Sequence, residues 1–106
     1  MSSKGKLDRM DHVAISVKDI AATVDWYHER FNCDIVYQDE TWAMVQFDNI
    51  TLAFVIPEQH PPHIAFVKDN AAEFGELAGH RDGTASVYID DVAGNAVEIM
   101  APHSVY

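Results

Sequence analysis

Residues 12–22 read HVAISVKDIAA, and residues 63–72 read HIAFVKDNAA. The two stretches agree in order at a histidine, an aliphatic residue, alanine, an apolar residue, valine, lysine, aspartate and a pair of alanines. One residue is deleted from the second. A repeat spaced by about half the chain restricts the fold, because each copy is one supersecondary unit that cannot bury its apolar face alone. With 106 residues in all, the two units must share one small core. Residues 1–106 therefore read as a single domain, with module one at about 10–57 and module two at about 62–102.

Both copies predict the same local structure. Alternation in HVAISV sets His12, Ala14 and Ser16 on one face of a strand and Val13, Ile15 and Val17 on the other. Asp19 and Asp69 are suited to cap the helices that follow. The first helix is expected over 19–31, where Ile20, Val24, Tyr27 and Phe31 make an apolar stripe. Its counterpart is expected near 69–79, carrying Ala72, Phe74 and Leu77 and ending around Gly79. Strands are predicted at 33–39, 42–47 and 50–56, and then, after the proline-stiffened linker EQHPPH, at 84–90 and 95–100. Only HRDG separates the second helix from residue 84, so a strand equivalent to 33–39 is short or absent there. The expected class is α+β: paired βαβββ modules with curled mixed sheets, the second module shortened.

Seven Lys+Arg against seventeen Asp+Glu give a formal charge of −10, which repels nucleic acid phosphates and anionic lipid. The apolar runs are bounded by charge after about eight residues, so no membrane span is expected. MSSKGKLDRM has cations but no apolar stretch behind them, which argues against a signal peptide. Cys33 is the single cysteine, so no disulfide forms within the chain, and a reducing cytoplasm is the expected location.

If the histidine faces point into the curled interior, His63, Ala65 and Val67 face inward, while Ile64 and Phe66 face the helices. In the last strand Val97 and Ile99 take the helix side, leaving Ala96, Glu98 and Met100 inside. Alternation thus permits His12, His63 and Glu98 to converge. Two imidazoles and a carboxylate suit a divalent first-row ion and leave coordination positions open. Glu98 interrupts the apolar run AVEIM, and a buried carboxylate is costly unless it is paired or coordinated. Tyr88, Trp42 and Phe47 are candidate pocket walls, although aromatic residues in strands commonly serve the core. Met44 and Met100 take the same default. His60 and His103, in loop-like segments, are candidates for proton transfer. His28 and His80 read as solvent-facing.

The segments MDHVAISVKDIAATVDWYHERF, PPHIAFV and DDVAGNAVEIM resemble the vicinal oxygen chelate superfamily, over about 10–102. That superfamily includes glyoxalase I, extradiol dioxygenases, fosfomycin-modifying enzymes and bleomycin-resistance proteins. The resemblance implies paired βαβββ modules and metal ligands at His12, His63 and Glu98. Glyoxalase-like members add a fourth ligand in the fourth strand, where this chain has Ala53. The remaining pattern looks more like the facial triad of extradiol dioxygenases.

The resemblance implies one divalent ion per site, Fe(II) for a dioxygenase and Zn, Ni or Mn for a lyase or isomerase, acting on a small substrate through vicinal oxygens. The alternatives are a noncatalytic drug-binding protein or a degenerate structural module. A homodimer is expected, and the short linker also permits modules of different chains to build each site.

Overall fold

The computed structural model describes residues 7–80 and 83–102. His103 lies outside them. Module one runs β1 (Arg9–Ser16), α1 (Ile20–Arg30), β2 (Asp34–Gln38), β3 (Trp42–Gln46) and β4 (Thr51–Val55). Module two runs β5 (His63–Val67), a 3₁₀ turn (Ala71–Phe74), β6 (Ala78–Gly79), β7 (Ala85–Asp90) and β8 (Ala96–Met100). The class is α+β, as expected.

The strands join in one eight-stranded mixed sheet, ordered β2-β3-β4-β1-β5-β8-β7-β6. Its two halves mirror each other. Each begins with a parallel pair, β1 with β4 and β5 with β8, and continues outward in antiparallel hairpins. The halves meet where β1 pairs antiparallel with β5. The expected pair of half-sheets is thus fused edge to edge, and the repeated histidines lie on the two strands that fuse, His12 within β1 and His63 at the start of β5.

Module one holds the larger core. Asp19 caps α1, its carboxylate accepting from the Ala22 amide at 3.0 Å. Ile20 and Val24 then bury against Cys33, Ala43, Val45 and Phe54 on one face of the sheet. Tyr27 stacks on Phe54 with ring centroids 4.9 Å apart.

Module two departs from the expectation of a matching helix. Only the four-residue 3₁₀ turn forms, and Asn70 at its start gives no side-chain cap. Gly75 then leaves helical geometry at φ +155°, where a Cβ would come 2.7 Å from Val87 Cγ2. Backbone at that angle does not continue a helix, and the close approach leaves no room for a side chain at this position. Ile64 and Phe74 are consequently left exposed on the side of the sheet that α1 covers in module one. β6, of two residues, is the shortened strand that the spacing anticipated. Among the described residues no helix is long and apolar enough to cross a membrane.

The two aspartates of the repeat should therefore respond differently to substitution. Asp19→Ala is expected to cost about 1 kcal/mol in urea unfolding, and Asp69→Ala less than about 0.5 kcal/mol. Equal losses would show that both caps work.

Candidate metal centre

Strand register builds the site. β1, β5, β8 and β7 lie side by side, and their pairing sets His12, Ala65, Glu98 and Tyr88 in one transverse row. His63 stands two residues from Ala65 along β5, on the same face. His12 and Glu98 flank Ala65 across two strand spacings, about 9–10 Å of backbone. The short Ala65 side chain, fully buried, leaves room for the imidazole and the carboxylate to meet over it.

They do meet. His12 Nε2 lies 3.1 Å from His63 Nε2. Glu98 Oε1 lies 3.1 Å from His63 Nε2 and 3.4 Å from His12 Nε2. The three side chains are 12%, 6% and 6% exposed for His12, His63 and Glu98. The three side chains come together within this one chain.

The outer nitrogens decide what the inner ones present. His63 Nδ1 lies 2.8 Å from the Pro61 carbonyl, which can only accept, so Nδ1 carries the proton. His12 Nδ1 likewise donates to Asp11 Oδ2 at 2.8 Å. Neighbours on a regular strand point to opposite faces. Here the β1–β5 register slips between Met10 and His12, and this bulge lets Asp11 reach the ring beside it. With both Nδ1 atoms protonated, two neutral imidazoles and Glu98 Oε1 turn lone pairs toward a common point. A proton or a metal ion must lie between them.

Bonds of about 2.0–2.2 Å to a first-row divalent ion place adjacent donors roughly 3.0 Å apart in an octahedron and roughly 3.4 Å in a tetrahedron. The observed separations of 3.1 Å and 3.4 Å fit that range, and the donor set suits such an ion. The three side chains form a group that could hold a metal.

Without an ion, protonation answers the same crowding. Burial alone would lower the His12 pKa. The hydrogen bonds and charges of Asp11 and Glu98 outweigh it and raise the value to about 9. Burial opposes ionisation of Glu98, yet its bonds to His12, His63 and Ser86 hold the carboxyl well below the usual carboxylate range. Tyr88 lies over the cluster, its hydroxyl 3.5 Å from His63 Nε2 and its ring edge-on to that imidazole. Burial first, and Glu98 second, push the Tyr88 hydroxyl above the ordinary tyrosine range.

Trp42 faces the same side of the sheet. It stacks on Tyr37 with centroids 4.3 Å apart and packs with Met44 around Ala14, Ala53 and Val55. Ala53 pairs with Ala14 on that face and offers no ligand atom. Phe47 does not line the site. It follows Gln46 onto the opposite face, by the alternation that sends Val45 there, and packs against the α1 core. Met100 is buried. His60 is exposed in the turn after β4.

Besides Asp11, two further supporting residues carry no reading of that kind in the sequence. Ser86 Oγ donates to Glu98 Oε2 at 2.6 Å, and His80 Nε2 meets Ser86 Oγ at 2.7 Å. His80 is thus engaged with the site rather than facing solvent alone. Ser86 shares an inward parity with Tyr88, a signal that alternation in TASVYID carried. A concavity lined by Lys18, Asp19, Gln38 and Asp39 shares no residue with the cluster.

The family model described as Glyoxalase/Bleomycin resistance protein/Dioxygenase superfamily matches residues 9–90. Comparison with curated protein sequences finds no match. Among solved structures, a methylmalonyl-CoA epimerase from Streptomyces coelicolor is similar at TM-score 0.71 and 18% identity, covering 93% of this chain and 100% of that one. The Mycobacterium tuberculosis methylmalonyl-CoA epimerase gives TM-score 0.65 and 14% identity, covering 92% and 89%. The 2,3-dioxygenase LapB from Pseudomonas sp. KL28 gives 0.64 and 15%, covering 92% of this chain but 44% of that one. At these identities the likeness extends to the fold.

An ion entering the cluster must displace the His12 proton. Affinity for zinc should therefore rise roughly tenfold per pH unit toward a plateau above about 9. Chelator competition between pH 6 and 8 measures the slope, and a flat profile would contradict the proton assignment. In the metal-free protein a raised His12 pKa stabilises the fold fully below the unfolded value of about 6.5. That contribution is lost as pH rises through about 9.

Proposed function

The chain belongs to the glyoxalase/bleomycin resistance protein/dioxygenase superfamily, and from that premise we propose a metal-dependent enzyme that binds a small substrate through two neighbouring oxygen atoms. The reading rests on one observation: His12, His63 and Glu98 aim two imidazole lone pairs and a carboxylate oxygen at one point. A divalent ion held there supplies Lewis acidity, with iron adding redox capacity for ring cleavage and zinc, nickel or manganese serving a lyase or isomerase.

The chain's own groups have separable tasks. Asp11 and the Pro61 carbonyl keep the ligand imidazoles in the tautomer that coordinates. Tyr88, whose hydroxyl lies 3.5 Å from His63 Nε2, is placed to donate a hydrogen bond to a substrate oxygen beside the ligands. Trp42 and Met44, packed over Ala14 and Ala53, offer an apolar wall beside the ligands.

The proposal extends to a cytoplasmic homodimer taking a small-molecule substrate. Exposed Ile35, Val36 and Tyr37 on edge strand β2 support association, and sedimentation equilibrium showing only monomer would withdraw that part.

Untagged protein should bind about one equivalent of divalent ion per chain, and His63→Ala should abolish it. Wild-type protein that neither carries nor rebinds metal would return the reading to noncatalytic small-molecule binding. Catechol cleavage with iron and hemithioacetal isomerisation with zinc or nickel separate the two chemistries. In whichever assay succeeds, Tyr88→Phe should lower turnover by roughly 10²-fold while metal content stays unchanged.

A further inference from the structure

Each oxygen of Glu98 has its own surroundings. Oε1 faces both histidines. Oε2 takes a 2.6 Å hydrogen bond from Ser86, a side chain on β7 that is 1% exposed. A serine hydroxyl has one proton, and here the carboxylate takes it. The 2.7 Å contact between Ser86 Oγ and His80 Nε2 must then run the other way, with His80 Nε2–H donating to the serine lone pair. His80 Nε2 stands 3.7 Å from Glu98 Oε2, beyond a direct hydrogen bond, so it reaches the carboxylate through the serine.

The shortened second module puts His80 there. β6 ends at Gly79, whose partner across the ladder is Ala85. His80 follows at once and closes the turn, its amide donating to the Thr84 carbonyl at 2.7 Å while its own carbonyl accepts from Gly83. The equivalent edge strand of module one, β2, runs five residues. Early termination of β6 holds the His80 side chain beside buried Ser86.

We propose that Ser86, backed by His80, is a positioning residue that holds Glu98 to the metal centre as a one-oxygen ligand. This rests on the metal-centre reading above. Coordination through both carboxylate oxygens would compete with the short bond from Ser86 for the lone pairs of Oε2. With that bond kept, Glu98 would offer Oε1 alone to an ion, beside the Nε2 atoms of His12 and His63. A one-oxygen carboxylate would leave such an ion more room for substrate oxygens than a two-oxygen one.

Cobalt(II) is the probe, its affinity read by chelator competition and its coordination by visible absorption. Wild type, Ser86→Ala, His80→Ala and the double variant are compared, with circular dichroism verifying the fold. Ser86→Ala should weaken cobalt binding by roughly 10–100-fold and alter the absorption band. His80→Ala, at a half-exposed position safe for folding, should weaken it by roughly threefold or more. The double variant should match Ser86→Ala within about twofold, because His80 acts through the serine. Affinity within about twofold of wild type with an unchanged spectrum in Ser86→Ala would overturn the proposal. Multiplying effects in the double variant would do the same. Wild-type protein that binds no cobalt would overturn the metal-centre reading as well, which separates the two failures.

Discussion

Two imidazole nitrogens and a carboxylate oxygen, all hydrogen-bond acceptors in their favoured states, share one small buried volume. Acceptors cannot satisfy one another, and in a low-dielectric interior their lone pairs repel. The protein commits to the arrangement by occupying the far side of each ring, with the Pro61 carbonyl on His63 and Asp11 on His12. Neither ring can turn its proton inward without losing that partner. A cation between the three is then the economical solution, and the choice between a proton and a metal ion becomes a matter of pH and metal supply.

The duplicated halves share the work unequally. Module one keeps an eleven-residue helix, whose Val24 packs with Val45 and Phe54, the largest fully buried apolar side chains among the described residues. Module two gives up its helix for a 3₁₀ turn but carries His63, Glu98, Ser86 and Tyr88. One half holds the apolar packing, the other most of the polar site. The bulge at Asp11 and the clipped β6 mark where the two copies depart from each other, and both lie beside the cluster.

Much of this was legible in the residues. The repeat gave the two modules, and period-two alternation set His12, His63 and Glu98 on one face. The same rule excludes Phe47, whose parity differs from that of Trp42 within the expected strand 42–47. The helix expected at 69–79 stops at Gly75, where the backbone leaves helical geometry and the missing side chain admits Val87, and apolar spacing carries neither fact. That approach is a tertiary constraint between distant residues. Asp11 was hidden for a related reason. Adjacent strand residues normally face apart, and a bulge is set by pairing with a partner strand rather than by local sequence. The link from His80 through Ser86 depends on where a two-residue strand stops, a boundary that pattern reading fixes poorly.

His12 comes from the first half of the chain, and His63 and Glu98 come from the second. Among the described residues, the sheet is continuous between the halves only through the pairing of β1 with β5. An ion gripped by all three would clasp that seam from above, so pulling the halves apart would also mean surrendering ligands. Occupancy would then register as resistance to heat, and a chelator would act as a mild denaturant even though the greasy interior under α1 lies on the other side of the sheet.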